Sequence, residues 1–220
     1  GTLNKFGSDE VSLVGVFANK NVGTNKTVTA GLTGAKAGNY TLGSTPITTT
    51  AEMTKLALTG ISGITSSDKV YDGSTTATLI TSGASFAGKI SGDTLSVATA
   101  TGSFDNKNVG TGKSVNITEL TLGGTDAGNY NLISTTVTTT ADVTAKAITF
   151  SAPDVTKTYD GGLTYTATSG ELTTLASSLV GSDTLTSITL AFTDKNVGTD
   201  NKTVNASSAV INDGNSGNNY

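Results

Sequence analysis

A short motif that returns along the chain at a nearly constant spacing constrains the fold more than any other feature. The hexapeptide NKNVGT, which begins at Asn19, returns almost unchanged around Lys107 and Lys195. Lys20, Lys107 and Lys195 occupy its second position, at spacings of 87 and 88 residues. Self-similarity at a fixed period indicates repeated structural units. The 220 residues are therefore expected to hold copies of one unit instead of one large domain.

Two further landmarks agree with this period. The tetrapeptide AGNY ends at Tyr40 and at Tyr130, and a weaker copy ends at Tyr220, so the tyrosines are 90 residues apart. A Tyr-Asp-Gly motif occurs twice, at a spacing of 88 residues, as Tyr71-Asp72-Gly73 and as Tyr159-Asp160-Gly161. Three independent landmarks thus predict a period of about 88 residues.

The order of the landmarks divides the chain into three sequence repeats. Residues 1–54 are assigned to the C-terminal part of a first repeat, which lacks a Tyr-Asp-Gly motif. Residues 55–145 form a complete second repeat, and residues 146–220 form the N-terminal part of a third repeat that lacks its last strand. The joints are expected near Lys55 and Lys146, where Thr-rich segments give way to a new apolar start.

Composition and alternation predict an all-β fold. Thr and Val, which are abundant, favour strands, and the 27 glycines supply turn positions. Apolar or β-branched residues alternate with polar ones over 76–80, 94–97, 114–117 and 136–140, as in half-buried strands. The only plausible helical turn lies between Leu172 and Val180. Since a seven-stranded sandwich needs about 100 residues, the period predicts tandem immunoglobulin-like β-sandwich modules, arranged as beads on a string.

The segment around Tyr130 supports this prediction. In immunoglobulin-type sandwiches a tyrosine begins a late strand, and its hydroxyl bonds to the backbone a few residues upstream. Gly128 precedes Tyr130 in a turn-like sequence, and Leu132 stands where an inward core residue is expected. The segment is interpreted as such a tyrosine corner without a disulfide, since the chain has no Cys.

The same motifs resemble a known family. Lys-x-Tyr-Asp-Gly (Lys69–Gly73, Lys157–Gly161), followed by DNKNVGT and then DAGNYNL, resembles the YDG-type tandem repeat of large bacterial secreted proteins of the filamentous-haemagglutinin and glycine-rich adhesin kind. The resemblance implies a secreted protein, extracellular or on the bacterial cell surface, with an adhesive or biofilm-matrix role. It names no ligand, and it carries over no catalytic residue.

Composition argues against several other functions. The net charge is −4 and every basic residue is Lys, which disfavours nucleic acid as a partner. No apolar run is long enough to span a membrane. His and Cys, the usual residues of acid–base and thiol catalysis, are absent, and the glutamates fall at no common repeat position. We therefore expect no enzymatic activity and no cofactor.

The recurring aspartates have two interpretations. In the Tyr-Asp-Gly motifs, Asp72 and Asp160 are expected to accept local backbone hydrogen bonds, while Gly73 and Gly161 adopt positive φ. The alternative is a calcium site, for which Asp72, Asp93, Asp126 and Asp160 are the candidate ligands. Calcium needs six to eight oxygens, so these carboxylates would have to converge in three dimensions.

The lysine motif also has two interpretations. The simpler one makes the segment from Asn108 to Gly110 a bend and places Lys107 on the surface, where its stem covers apolar area. The alternative is a covalent isopeptide bond from the lysine to an Asn or Asp.

These observations lead to one functional prediction and two alternatives. The prediction is a stalk or fibre of stacked repeats whose partners are neighbouring repeats, with a host or matrix ligand that the sequence does not identify. One alternative is a filament in which copies of the chain join by β-strand addition. The other is a carbohydrate-binding module, although the absence of Trp leaves few stacking platforms for sugars.

Overall fold

A computed structural model describes residues 3–44 and 46–220 of the chain and shows an all-β fold, as the alternation predicted. In chain order the strands are β1 Ser12–Phe17, β2 Gly23–Thr33, β3 Thr48–Met53, β4 Leu56–Leu58, β5 Gly60–Ser62, β6 Thr65–Ser66, β7 Lys69–Val70, β8 Thr76–Ala77, β9 Leu79–Ile80, β10 Ser85–Ala87, β11 Ser96–Phe104, β12 Gly110–Gly123, β13 Tyr130–Leu132, β14 Val137–Thr144, β15 Thr164–Thr166, β16 Thr184–Phe192 and β17 Val204–Asn212. One short helix, α1, spans Ser169–Leu175, and 3-10 turns span Ala37–Asn39, Ala127–Asn129 and Ala176–Ser178.

The chain forms two compact units that are not continuous in sequence. Unit 1 contains residues 1–63, 84–99 and 119–135, and unit 2 contains residues 64–83, 100–118 and 136–220. Each unit therefore combines residues from two of the sequence repeats. The strands β11 and β12 have residues in both units.

Unit 1 is built from short antiparallel pairs and one parallel pair. The first repeat supplies a three-stranded antiparallel sheet in which β2 lies between β1 and β3. From the second repeat, β5 pairs antiparallel with β10, and β4 pairs parallel with β13. The core of this region consists of Leu58, Phe86 and Tyr130, against which Leu95 and Leu132 pack.

Unit 2 contains two larger sheets and the short antiparallel pair of β6 with β9. The first has the strand order β7-β14-β12-β11-β8, in which β14 is antiparallel to β12 and parallel to β7. The second has the order β15-β16-β17. Its buried residues are Leu185, Ile188 and Leu190, which α1 and the following 3-10 turn help to cover.

Local sequence explains why these elements form. In β14, Ala141 and Val143 are buried, and the residues around them are more exposed, which is the period-2 pattern of a strand with one face inward. The helix α1 begins with a capping box, in which Thr168 and Glu171 satisfy each other's backbone N–H groups. The helical turn predicted between Leu172 and Val180 is thus present but begins three residues earlier, because the cap is at Thr168.

The predicted strand segments overlap the observed strands, but their boundaries differ. Segments 114–117 and 136–140 lie largely within β12 and β14, whereas 94–97 covers only the start of β11. Segment 76–80 is split between β8 and β9, which belong to different sheets. Within the part of the chain that the structure describes, no helix is long and apolar enough to cross a membrane.

Candidate functional site

The last tyrosine of each repeat is hydrogen-bonded to an aspartate that lies at a turn 31 to 37 residues before it. Its hydroxyl donates to that carboxylate; the pairs are Tyr40–Asp9 at 2.7 Å, Tyr130–Asp93 at 2.5 Å and Tyr220–Asp183 at 2.9 Å. The same hydroxyl accepts the backbone N–H three residues before the aspartate, from Phe6, Ile90 and Val180 respectively. We name these residues the corner tyrosine and the turn aspartate. Each pair links the turn before the aspartate to the segment that carries the tyrosine.

This arrangement corrects the expected tyrosine corner. The hydroxyl of Tyr130 was expected to bond to the backbone a few residues upstream. This prediction is wrong, because the hydroxyl accepts the N–H of Ile90, which lies 40 residues earlier. The reason is packing. Tyr130 is buried beside Leu58 and Phe86, so its hydroxyl emerges at the turn that follows β10.

The lysine motif of the first repeat contacts the corner of the second. The Lys20 Nζ lies 2.5 Å from Asp93 Oδ1 and 2.6 Å from Asp126 Oδ1. The backbone N–H of Val22 donates to Asn129 Oδ1 at 2.9 Å. All of these residues belong to unit 1, and we name this set of contacts the first junction.

The charges of the first junction stabilise one another. Hydrogen bonds to Asp126 and Asp93 raise the pKa of Lys20 above its ordinary value. In return, Lys20 lowers the pKa of Asp93, with help from Tyr130, and lowers the pKa of Asp126, with help from the Thr94 N–H. One ammonium and two carboxylates therefore remain charged at neutral pH.

The lysine motif of the second repeat makes corresponding contacts with the third repeat, except that the third repeat has Ser216 at the position of Asp126. The Lys107 Nζ lies 3.0 Å from Asp183 Oδ1, and the Val109 N–H donates to Asn219 Oδ1 at 2.9 Å. The Asn219 side-chain amide also donates to Asn108 Oδ1 at 3.3 Å, as the Asn129 amide does to Asn21 in the first junction. These residues all belong to unit 2, and we name this set the second junction.

The Tyr-Asp-Gly tyrosine completes the second junction. The hydroxyl of Tyr71 donates to Asp183 Oδ2 at 2.7 Å, and its ring meets that of Tyr220 edge to face with centroids 5.5 Å apart. Lys107 Nζ lies 5.5 Å from the Tyr71 ring centroid, a cation–π distance. Asp183 thus receives one ammonium and two hydroxyls, and only 3% of its side chain remains exposed.

Burial and hydrogen bonding act in opposite directions on Asp183. Burial favours the neutral acid, but the donors Tyr71, Lys107 and Tyr220 together outweigh it, so the pKa of Asp183 is lowered. Burial, with the nearby carboxylate, raises the pKa of Tyr220 to about 12. The Tyr71 hydroxyl and Asp183 raise the pKa of Lys107. Since Lys107 stays protonated, its Nζ acts as a hydrogen-bond donor and a cation, not as a nucleophile.

The Tyr-Asp-Gly turns have the predicted local geometry. Gly73 and Gly161 have φ values of 77° and 80°. Asp72 Oδ1 accepts the Ser74 N–H, and Asp160 Oδ1 accepts the Gly162 N–H, both at 2.8 Å. The prediction of a turn with a positive-φ glycine and a local aspartate acceptor is therefore confirmed.

The calcium candidates lie in three places. Asp93 and Asp126 come together at Lys20, whereas Asp72 and Asp160 each remain in their own turn, paired with Lys69 and Lys157. A lysine ammonium contacts every one of the four carboxylates. Residues 3–44 and 46–220 contain no group of three or more acidic, His or Cys side chains placed to hold a metal ion.

Lys107 does not lie freely on the surface, as its simpler interpretation proposed. It is half-buried, because Asp183 and the Tyr71 ring surround its ammonium. Among the remaining motif residues, Gly110 begins β12, Gly128 lies in the 3-10 turn before Tyr130, and Leu132 packs on the unit 1 core as expected.

Comparison with known families adds one finding. The family model of the YDG domain matches residues 1–50, 54–140 and 144–220. The chain belongs to the YDG domain family. Comparisons with curated proteins and with solved structures give no match. The first junction joins residues of the first two YDG segments, and the second joins residues of the last two.

Sequence reasoning missed several residues that the YDG junctions use. Asp183, Asn129 and Asn219 received no role, although each lies at a recurring position. One signal was available: an aspartate recurs in a Gly/Ser-Asp turn in each of the three YDG segments, as Asp9, Asp93 and Asp183, and so offers a recurring anion to the recurring lysine.

Proposed function

We propose that this chain is part of a structural repeat region, a stalk or fibre, of a secreted bacterial surface adhesin or extracellular matrix protein. In this proposal the role is mechanical and not catalytic, and it requires no cofactor. One observation carries the proposal: the recurring residues make equivalent contacts at both junctions, and those contacts connect successive repeats. Residues that recur in order to join units are what a stacked fibre needs, whereas an active site is usually built once.

The sequence separations of the contacts support a load-bearing role. Lys20 and Asp93 are 73 residues apart, and Lys107 and Asp183 are 76 residues apart. Tyr71 and Asp183 are separated by 112 residues. Pulling successive repeats apart therefore has to break the ion pairs and hydrogen bonds of both junctions, which are more buried at the second, in addition to straightening the chain.

The proposal includes a structural period of about 88 residues and an immunoglobulin-like sandwich as the repeating module. The support for the period is that each junction uses the same motif positions. The sandwich remains a prediction from strand content and module length, because the corner tyrosine departs from the immunoglobulin pattern. Since each compact unit combines two repeats, we propose that a module acquires its full stability only beside a neighbour.

The proposed location can be tested on cells that produce the parent protein. Antibodies raised against this chain should label intact cells or the surrounding matrix. Labelling that appears only after the cells are permeabilised would contradict a surface or matrix role. An antibody against a cytoplasmic protein serves as the control for cell integrity.

The proposed mechanical role can be tested by stretching single molecules. Replacement of Asp183 by Asn should lower the unfolding force of one transition, because the second junction loses its anion. The matched control is Asp160→Asn, in which an exposed aspartate that also pairs with a lysine is changed. Equal forces for the wild type and Asp183→Asn would contradict the proposal.

A second candidate function is a filament assembled by β-strand addition, and one observation favours it. In the first and second repeats the central strands β2 and β12 are flanked on one side by the Thr-rich strands β3 and β14, whereas β17 pairs only with β16 within the described chain. A groove of about 650 Å³ lies at the start of β17, lined by Val204 together with residues from 152–162 and 192–202. A strand such as β14 from another copy would pair with this edge.

Strand addition can be tested with a peptide. A synthetic peptide of residues 135–146, which contains β14, should bind the chain in fluorescence anisotropy, whereas a peptide of the same composition in scrambled order should not. Equal signals from the two peptides would argue against this mechanism. Negative-stain electron microscopy with light scattering then distinguishes a monomeric stalk from a filament.

A further inference from the structure

The lysine motif of the third repeat has the sequence of a junction, but among the described residues no repeat lies against it. We name the segments Asn19–Val22, Asn106–Val109 and Asp194–Val197 the docking loops. In the first two docking loops Val22 and Val109 are half-buried, but Val197 is 85% exposed. Within residues 3–44 and 46–220, the Lys195 ammonium has no hydrogen-bond or ion-pair partner.

The third docking loop nevertheless has the conformation of the other two. In each loop the side chain of the first residue accepts the N–H of the third, at 3.0 Å, 3.0 Å and 2.8 Å in chain order. A second lysine, which recurs as Lys26, Lys113 and Lys202, donates to that same side chain. A residue with φ between 50° and 57° follows each loop; these residues are Asn25, Gly112 and Asp200. The loop is therefore formed before any partner binds, which lowers the entropic cost of binding.

The first junction is formed by a docking loop alone, without a contribution from a Tyr-Asp-Gly tyrosine. Its contacts come from Lys20, Asn21 and Val22. The second junction adds Tyr71 to the same set. The third docking loop therefore has the three residues that the first junction uses.

The first repeat presents most of the complementary face, with Lys36 at the position that Asp126 occupies in the first junction. Asp9 and Tyr40 form the same pair as Asp183 and Tyr220, at 2.7 Å and 2.9 Å respectively. The equivalent of the fully buried Asn219 is Asn39, which is the last residue of the 3-10 turn Ala37–Asn39 and is exposed. We name Asp9, Asn39 and Tyr40 the corner face. Phe6, beside it, is 86% exposed, whereas its equivalent Val180 packs on the cluster around Tyr71.

We infer that the third docking loop binds the corner face of a second copy of this chain. In this contact Lys195 pairs with Asp9, and the Val197 N–H donates to Asn39 Oδ1, as Lys107 and Val109 do with Asp183 and Asn219. The two surfaces differ, so the contact is heterologous and leaves a free docking loop and a free corner face on every complex. Association can therefore continue beyond a dimer. The inference deepens the proposed structural role, but it rests on the junction geometry and not on the location of the protein.

Blocking each surface separately tests the inference. Lys195→Glu places a like charge opposite Asp9, and Asp9→Asn removes the anion while keeping an acceptor for Tyr40. By sedimentation velocity up to about 1 mM, wild-type chain should show concentration-dependent association that weakens with added salt. Each variant alone should associate at least about tenfold more weakly. Lys55→Glu, which makes the same charge change at another exposed lysine, should behave as wild type.

Mixing the two variants gives the decisive result. The Lys195→Glu chain keeps its corner face, and the Asp9→Asn chain keeps its docking loop, so an equimolar mixture should form 1:1 dimers and nothing larger. A wild-type chain that stays monomeric over the whole range overturns the inference. Association that neither substitution weakens also overturns the inference, because the association would then use another surface, such as the edge of β17. Neither result bears on where the parent protein is located.

Discussion

The Tyr71 hydroxyl donates a 2.7 Å hydrogen bond to the carboxylate of Asp183, a residue 112 positions further along the chain. Tyr71 is 2% exposed, so this bond is shielded from water. Two residues from different sequence repeats thus share one buried polar site. The fold of the second repeat therefore depends on a residue that the third repeat supplies.

Replacement of Asp183 by Ala should strongly destabilise unit 2. The change leaves the Lys107 charge and the hydroxyls of Tyr71 and Tyr220 without their shared acceptor. Removal of one partner from a buried charge pair typically costs about 3–5 kcal/mol of unfolding free energy. Urea unfolding followed by tyrosine fluorescence measures the loss. Asp160→Ala, at an exposed ion pair, should show a much smaller loss, and an equal loss in the two variants would contradict the argument.

The two Tyr-Asp-Gly tyrosines provide a matched comparison. Tyr71→Phe keeps the buried ring and removes only the hydroxyl that binds the Asp183 carboxylate. A hydrogen bond to a charged group contributes about 1.5–3 kcal/mol, so unfolding should become easier by about that amount. Tyr159→Phe changes the equivalent tyrosine, which is 61% exposed, and should shift stability by no more than about 0.5 kcal/mol. Similar unfolding midpoints for the two variants would contradict a stabilising role of the Tyr71–Asp183 hydrogen bond.

The sequence predicts the local elements of this fold better than their partners. Alternation identified β12 and β14 because one buried face imposes a period of two residues. The turn at Gly73 was also predictable, because positive φ strongly favours glycine there. Each of these properties depends on residues that are close together in the chain.

The junctions could not be predicted in the same way. Lys107 has a turn aspartate in its own repeat, Asp93, and another in the next repeat, Asp183. Because every repeat carries the same motifs, the sequence does not show which of the two is the partner. That choice follows from how β11, β12 and β14 place the docking loop, and this is a property of long-range packing. The identity of the site residues was therefore partly predictable, but their connection was not.

The stability of the chain should decrease both in acid and in strong base. The pKa of Asp183 is lowered in the folded state, so its contribution is present above the unfolded value of about 3.9 and is lost as pH falls through the folded value. The pKa of Tyr220 is raised to about 12, so its contribution is present below about 10 and is lost as pH rises toward 12. Melting temperatures should therefore fall below about pH 4 and above about pH 10.

Asp183→Asn isolates the acid part of this dependence. The variant should be less stable than the wild type near pH 7, and its stability should change less between pH 5 and 2, since it takes up one proton fewer on unfolding in acid. The melting temperature of both proteins across this range is the measurement. Identical slopes for the two proteins would show that Asp183 does not titrate as the second junction requires.

Both junction lysines should remain free amines. Asp126 and Asp93 raise the pKa of Lys20, and the Tyr71 hydroxyl and Asp183 raise the pKa of Lys107, so neither amine is a nucleophile at neutral pH. We therefore expect an intact mass equal to that of the sequence. A mass lower by one water for each junction would instead demonstrate isopeptide bonds to the aspartates. Mass spectrometry of the purified chain decides between the two.

Amide exchange in the wild-type chain should distinguish the three docking loops without any substitution. The Val22 and Val109 N–H groups each donate to an asparagine Oδ1 at 2.9 Å, and Asn219, the acceptor in the second junction, is fully buried. Their exchange requires the junction to open, so both should be protected, Val109 more than Val22, because Tyr71 adds to the second junction. Val197 has the same sequence context but is exposed, and it should exchange close to the rate of an unstructured peptide. Protection of Val197 at low concentration would contradict this expectation, whereas protection that appears only as concentration rises would be the signature of a second copy bound at the third docking loop.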